Sequence, residues 1–99
     1  MTNKMRPIHP GEILRDELDV LELSANAFAK ELAVPVNRIT SILNGTRSIT
    51  ADTAFRLGLF FRTTPEFWLN LQTAYDLKLL INQEGKKIQK QVHPLREVA

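Results

Sequence analysis

Between Asn37 and Asn44 the chain reads NRITSILN, and on a helix its polar and apolar residues part cleanly. Ile39, Ile42 and Leu43 fall at i, i+3 and i+4 and share one face. The other face carries Asn37, Arg38, Ser41 and Asn44, with Thr40 at its side. These are short or planar side chains that donate and accept hydrogen bonds. A helix face that only meets solvent predicts more Glu and Lys. The chemistry on offer is recognition of another hydrogen-bonding surface, with a plain solvated face as the alternative.

Other chemistries find little support. Cys is absent, which excludes a disulfide framework and a Cys-based zinc site. His9 and His93 each precede a proline and have no third partner at metal-ligand spacing, so neither a metal nor another cofactor is expected. His9 is expected instead to close the start of the first helix. No Gly-rich phosphate loop is present, and nothing arranges Ser, His and Asp as a triad, so no enzyme is expected.

Ninety-nine residues with 43% hydrophobic content make one domain, or one small domain and a tail. The net charge of +2 is uneven along the chain. Residues 10–34 set two cations against six anions, net −4; residues 35–62 set four arginines against Asp52, net +3; residues 85–99 set four cations against Glu97, net +3. The basic middle contains the polar face described above. The first twelve residues lack the apolar core of a secretory signal, and no apolar run reaches membrane-spanning length. A soluble, cytoplasmic protein with no membrane association is expected.

Five short helices must position that face. The first follows Pro10, with Ile13, Leu14, Leu18 and Leu21 at helical spacing. Ser24 caps the second, which buries Phe28 and Leu32 with Ala25 and Ala29 on the same face. The third is VNRITSILNG, closed by Gly45 where a left-handed residue is cheap. Thr50 caps the fourth, with Asp52 in its first turn, where the helix dipole favours an anion. Its apolar members are Ala54, Leu57, Leu59 and Phe61, with Phe55 and Phe60 in the same run. Thr64-Pro65-Glu66 opens the fifth, which carries Phe67, Trp68, Leu71, Ala74, Tyr75, Leu77 and Leu79 to Ile81. That apolar set is wider than one stripe, which suggests a partner beyond the protein's own core. Period-two alternation never persists, so no strand is expected.

Helices two and three can pack across a tight turn as a helix-turn-helix. Ala29 supplies the small residue in the first helix, and Ile39 and Ile42 supply anchors on the second. The turn asks for a positive φ, and the chain places Ala33 there rather than glycine; if the φ is positive, the strain is roughly 1–2 kcal/mol. An arbitrary helical hairpin is the other reading, since two short helices with a proline between them also describe one.

The segments HPGEILRDEL, ILNG, TADTAFRLG and TPEFWLNLQTAYDL carry a resemblance. Over about residues 7–80 the chain resembles the HigA-type antitoxins, Xre-like and lambda-repressor-like proteins once labelled virulence-associated protein I. HPGE together with TPEFWLNLQ is specific to that family, whereas the helix-turn-helix alone identifies only the superfamily. The resemblance implies an all-α, compact five-helix bundle with a lambda-repressor-like helix-turn-helix, which forms a homodimer. It implies a sequence-specific repressor of its own operon that neutralises a HigB-type toxin, a RelE-like ribonuclease acting on messenger RNA at the ribosome.

Carried onto this chain, the resemblance makes the third helix the reading helix. It implies DNA contacts at Pro35 to Arg38 and at Ser41, a phosphate held at Asn44, and Arg47 where the following loop meets DNA. A phosphate-touching glutamine, usual near the start of the second helix in many relatives, is missing, and only Ser24 or Asn26 can stand in for it. On chemical grounds Arg pairs bidentately with guanine O6 and N7, and Asn with adenine N6 and N7. Asn37, Arg38 and Ser41, with Thr40 beside them, then face the major groove of double-stranded operator DNA. Asn44, Thr46, Arg47 and the helix N-termini hold phosphates. A twofold dimer implies an operator that is an inverted repeat.

Three further expectations follow. The dimer seam is expected on the fifth helix, at Trp68, Leu71, Tyr75 and Leu79. A toxin that grips RNA presents a basic surface, so its docking site is expected on the acidic early chain, at Glu17, Asp19 and Glu22. Residues 1–84 form the DNA-binding and dimerisation domain, and residues 85–99 a basic, mobile C-terminal tail. Two other functions share these features: a stand-alone transcriptional repressor without a toxin, and a protein-interaction module that has lost DNA binding.

Overall fold

The computed structural model describes residues 6–96 and consists of five α-helices, with no strand among the described residues. They are α1 (Pro10–Leu21), α2 (Ala25–Leu32), α3 (Val36–Leu43), α4 (Ala51–Phe61) and α5 (Pro65–Gln91). No helix is long and apolar enough to cross a membrane.

Each helix begins at a side chain that satisfies its first amides, except α3. Ser24, Thr50 and Thr64 accept from Ala27, Thr53 and Phe67 at the starts of α2, α4 and α5. At α1 the cap is His9, whose Nδ1 accepts from the Gly11 amide at 2.9 Å, while Glu12 accepts from the His9 amide. Glu12 also holds Arg6 through a paired contact at 2.7 and 2.8 Å. The expectation that His9 closes this helix is met, and neighbours from two other elements hold its ring. Tyr75 meets it edge-on with centroids 4.9 Å apart, and Gly45 packs beside it. Pro35 precedes α3 without a side-chain cap.

The core is Leu14 and Leu18 from α1, Phe28, Ala29 and Leu32 from α2, Ile39 and Ile42 from α3, Ile49, Ala54 and Leu57, and Trp68 from α5. Gln72 is buried as well; its Oε1 accepts from the Ile49 amide at 2.7 Å, which pins the loop after α3 to α5. Gly11 lets α1 lie against the end of α3: a Cβ there would sit 1.9 Å from the Ile42 carbonyl oxygen. Ala33 does take the left-handed conformation, with φ 57° and ψ 48°, so the α2–α3 turn carries the strain expected of an alanine there.

Three readings change. Leu59 and Phe55 point outward from α4 at 68% and 58% exposure, and the buried face is Thr53, Ala54, Leu57 and Gly58. The run ADTAFRLGLFF is apolar nearly all round, so periodicity did not identify its inner face. Second, α5 does not stop near Ile81 but continues through Gly85 to Gln91. One interior glycine weakens a helix by only about 1 kcal/mol, and helix-forming Lys and Gln surround it. The expected tail is thus helical up to Gln91, and its last residues, 97–99, lie outside the described residues. Third, Trp68 is a core residue, 2% exposed, with Nε1 donating to Thr63 Oγ1 at 3.0 Å and its indole held between Phe61 and Phe67. It has no surface left to contribute to a seam between subunits.

Candidate nucleic-acid interface

Helix α3 buries Ile39 and Ile42 completely and turns Asn37 outward, with Arg38, Thr40 and Ser41 half-buried at the margins of the same face. Pro35, Asn44, Thr46 and Arg47 are exposed at its two ends. Asn44 closes α3 and Gly45 follows with φ 77°, which turns the chain toward Arg47. The residues singled out in the sequence therefore lie together on one continuous surface, formed by α3, its preceding turn and its following loop.

Their hydrogen-bonding states differ. Thr40 donates back to the Asn37 carbonyl at 3.3 Å, and Thr46 donates to the Ser41 carbonyl at 3.1 Å. A phosphate oxygen only accepts, so these hydroxyls must rotate away before they can donate to one. Asn44 Oδ1 lies 3.5 Å from an Arg15 nitrogen, which also reaches the Leu43 carbonyl at 3.3 Å. This ties the C-terminal end of α3 to α1 and leaves the Asn44 amide nitrogen as a donor. Arg38, Arg47, Ser48, Thr50 and Thr53 line a polar hollow of about 240 Å³. Two arginines stand among its lining residues, Arg38 paired with Asp52 and the Thr50 and Thr53 hydroxyls 3.4 Å from each other.

Sequence reasoning missed the residues behind this surface. In the sequence Asp52 is visible only as a favourable anion at the start of α4. Its Oδ1 accepts from Arg38 Nη1 at 2.7 Å and from Arg56 Nε at 2.8 Å. The Arg56 guanidinium, and then that of Arg38, hold its carboxyl below the ordinary range. The i, i+4 spacing of Asp52 and Arg56 is readable in the sequence; the pairing of Arg38 with Asp52 depends on α2 packing against both α3 and α4 and is not. Burial keeps the His9 imidazole below its ordinary value, against the Arg47 carbonyl, Asp76 and Glu12, which pull the other way. The ring packs beside Gly45, so the α1 cap lies against the loop that leads to Arg47.

Of the residues expected at a subunit seam, Leu71 and Tyr75 line an apolar groove of about 710 Å³, with Ile8, Ile13, Ala74, Leu77 and Ile81. Leu79 is half-buried on the side of α5 that also carries Trp68 and Gln72. Glu17, Asp19 and Glu22 are exposed at the end of α1 and form no ion pair among the described residues. Glu17 and Asp19 stand about 160° apart around the helix. Between them on the outward side lie Asp16 and Val20, the latter 79% exposed.

No protein-family model matches the chain. It is 55% identical over 78 residues to virulence-associated protein I of Dichelobacter nodosus, a match covering 78% of this chain and 72% of the relative. A solved addiction module antidote protein of the HigA family from Coxiella burnetii is 67% identical, with a TM-score of 0.89 over 91% of this chain and 99% of that one. The antitoxin HigA of Pseudomonas aeruginosa, solved with the higBA promoter, is 44% identical, with a TM-score of 0.88 over 92% of this chain and 100% of that one.

Proposed function

The chain belongs to the HigA family of helix-turn-helix antitoxins, and on that footing we propose that it is a DNA-binding antitoxin that represses its own operon and neutralises a HigB-type, RelE-like toxin. It acts in the cytoplasm as a homodimer and binds an inverted-repeat operator. The observation that carries this reading is the outward face of α3. It presents Asn37, Arg38 and Ser41 together on a rigid helix, beside a polar hollow walled by Arg38 and Arg47. Rigid placement matters because a bidentate pair to a base edge discriminates by about 1–3 kcal/mol only when its two bonds form together.

In this reading Asn37, Arg38 and Ser41 read base edges, with Pro35 and Thr40 at the margin. Asn44, Thr46 and Arg47 hold the sugar-phosphate backbone and set register. The hollow receives a phosphate. The second subunit packs on the groove of α5 through Leu71, Tyr75, Leu77 and Ile81, which replaces Trp68 and Leu79 of the expected seam, neither of which lines the groove, with two exposed residues. The dimer places two α3 helices about 34–36 Å apart, one turn of DNA. The toxin docks on α1 around Val20, with Glu17, Asp19 and Glu22 at the edges. An exposed apolar residue ringed by unpaired acids suits a basic protein, and it leaves α3 available to DNA.

The test is a fluorescence-anisotropy titration of operator and scrambled duplexes across a salt series. Arg38→Ala and Ser41→Glu should weaken operator binding and leave the fold intact. Arg47→Ala should weaken binding to both duplexes and flatten the salt slope by about one unit. Unchanged affinity in all three variants would remove α3 from the reading role.

A further inference from the structure

The carboxylate of Asp52 stands at the first turn of α4, 54% exposed, beside the reading face without belonging to α3. It is fixed from two sides. Arg56 Nε donates to Oδ1 at 2.8 Å, and Arg56 Nη1 donates to the Leu32 carbonyl at 2.9 Å. One guanidinium thus joins the end of α2 to the first turn of α4 and holds the carboxylate in that turn. On its other side Oδ1 accepts from Arg38 Nη1 at 2.7 Å.

Resting on the reading of α3 proposed above, we infer that Asp52 is a positioning residue for Arg38: it holds Nη1 so that the Nε and Nη2 edge of the guanidinium is presented to guanine. A guanidinium carries five N–H groups in a rigid plane. Asp52 engages one of the two on Nη1. Among the described residues, no acceptor engages Nε or Nη2. That edge offers two parallel donors, the pattern that guanine O6 and N7 accept. An unanchored arginine would have to find this rotamer on binding, and a monodentate contact would tolerate other bases. Asp52 therefore contributes to specificity without touching DNA.

The opposite role would be a latch. Asp52 would then compete with DNA for Arg38 and repel phosphates, and its removal would tighten binding to every sequence. The two roles differ in sign for the ratio of operator to scrambled-duplex affinity. Asp52→Asn, Arg38→Ala and the double variant should be titrated against both duplexes as full-length protein, with a thermal melt for each. Positioning predicts that Asp52→Asn lowers the ratio by about tenfold while scrambled-duplex binding is equal or tighter. It also predicts no further loss of ratio when Asp52→Asn is added to Arg38→Ala. A ratio that is unchanged or raised by Asp52→Asn, with Arg38→Ala still losing it, would overturn the inference and leave the reading of α3 standing. An equal loss in both backgrounds would mean that Asp52 only supports the fold, and would also overturn it. If Arg38→Ala itself keeps the full ratio, Arg38 reads no base, and both the reading and the inference fall.

Discussion

Replacing Gly11 with alanine should unseat α1 from α3. The Cβ added at Gly11 would lie 1.9 Å from the Ile42 carbonyl oxygen and 2.8 Å from its carbon, whereas real Cβ contacts essentially never fall under 3.0 Å. The helices must therefore separate by at least 1.1 Å, the difference between 3.0 and 1.9 Å. The obstacle is backbone inside a hydrogen-bonded helix, so no side-chain rotamer relieves it. Leu14, Ile39 and Ile42, all 0% exposed, would lose contact together. Overpacking costs about 1–3 kcal/mol where side chains can adjust, and a backbone clash belongs at the upper end, about 3 kcal/mol. For a chain of this size 1 kcal/mol shifts Tm by about 4–8 °C, so a fall of more than about 10 °C is expected by circular dichroism. His9 accepts from the Gly11 amide and packs beside Gly45 in the loop that leads to Arg47, so the surviving fold should also bind operator more weakly. A Gly11→Ala variant that melts within about 2 °C of the parent would refute the close approach of α1 to α3.

Ala33→Gly should relieve the left-handed alanine in the α2–α3 turn. The gain is about 0.5–1 kcal/mol after the extra entropy of an unfolded glycine is set against roughly 1–2 kcal/mol of strain, and a Tm that does not rise would show the turn unstrained. His9 gives a pH effect whose sign follows from its folded value lying below its ordinary 6.5. The unfolded chain takes up the proton first, so stability is full above about 6.5 and declines as pH falls through it. Glu12, lowered from 4.5 to about 2 by Arg6, contributes stability that is present above 4.5 and lost below that, in a separate window. Tm should therefore fall between pH 7.5 and 5.5, and His9→Asn, which keeps a capping acceptor, should flatten that fall; an identical profile in both proteins would exclude His9 as its source. Leu77→Asp with Ile81→Asp alters side chains that are 54% and 55% exposed, so the monomer should fold while the dimer is lost. Each apolar side chain buried at the seam is worth about 1.5–3 kcal/mol, and light scattering that still reports a dimer would place the seam elsewhere.

Much of this architecture was legible because local signals agreed. Ser24, Thr50 and Thr64 announced three helix starts, and each does cap. The residues Ile39 and Ile42 fixed the inner side of α3 and so its outer face. Where one signal was flat, the reading failed. The fourth helix is apolar on nearly every side, so its pattern does not separate Leu59, which points outward, from its buried neighbours. The fifth loses its apolar stripe after Ile81 yet remains helical, because propensity and backbone hydrogen bonding carry it where no core is needed. Spacing alone puts Trp68 on the same stripe as a seam, because helical spacing cannot tell a second partner from the protein's own core. The bridge from Leu32 through Arg56 and Asp52 to Arg38 joins three helices through partners 24 and 14 positions apart in the chain, and no pattern within one element encodes it.

The central claim is that Arg38 on α3 reads guanine in the major groove of an inverted repeat. Dimethyl sulfate methylates guanine N7, the atom an arginine covers there. Protection mapped on the operator with the parent protein and with Arg38→Ala tests the claim directly. The account predicts two protected guanine sites related by twofold symmetry, about 10 base pairs apart. Both should become reactive with Arg38→Ala at a concentration that still saturates the duplex. Protection that persists at both sites in Arg38→Ala, or that never appears in the major groove, would contradict it.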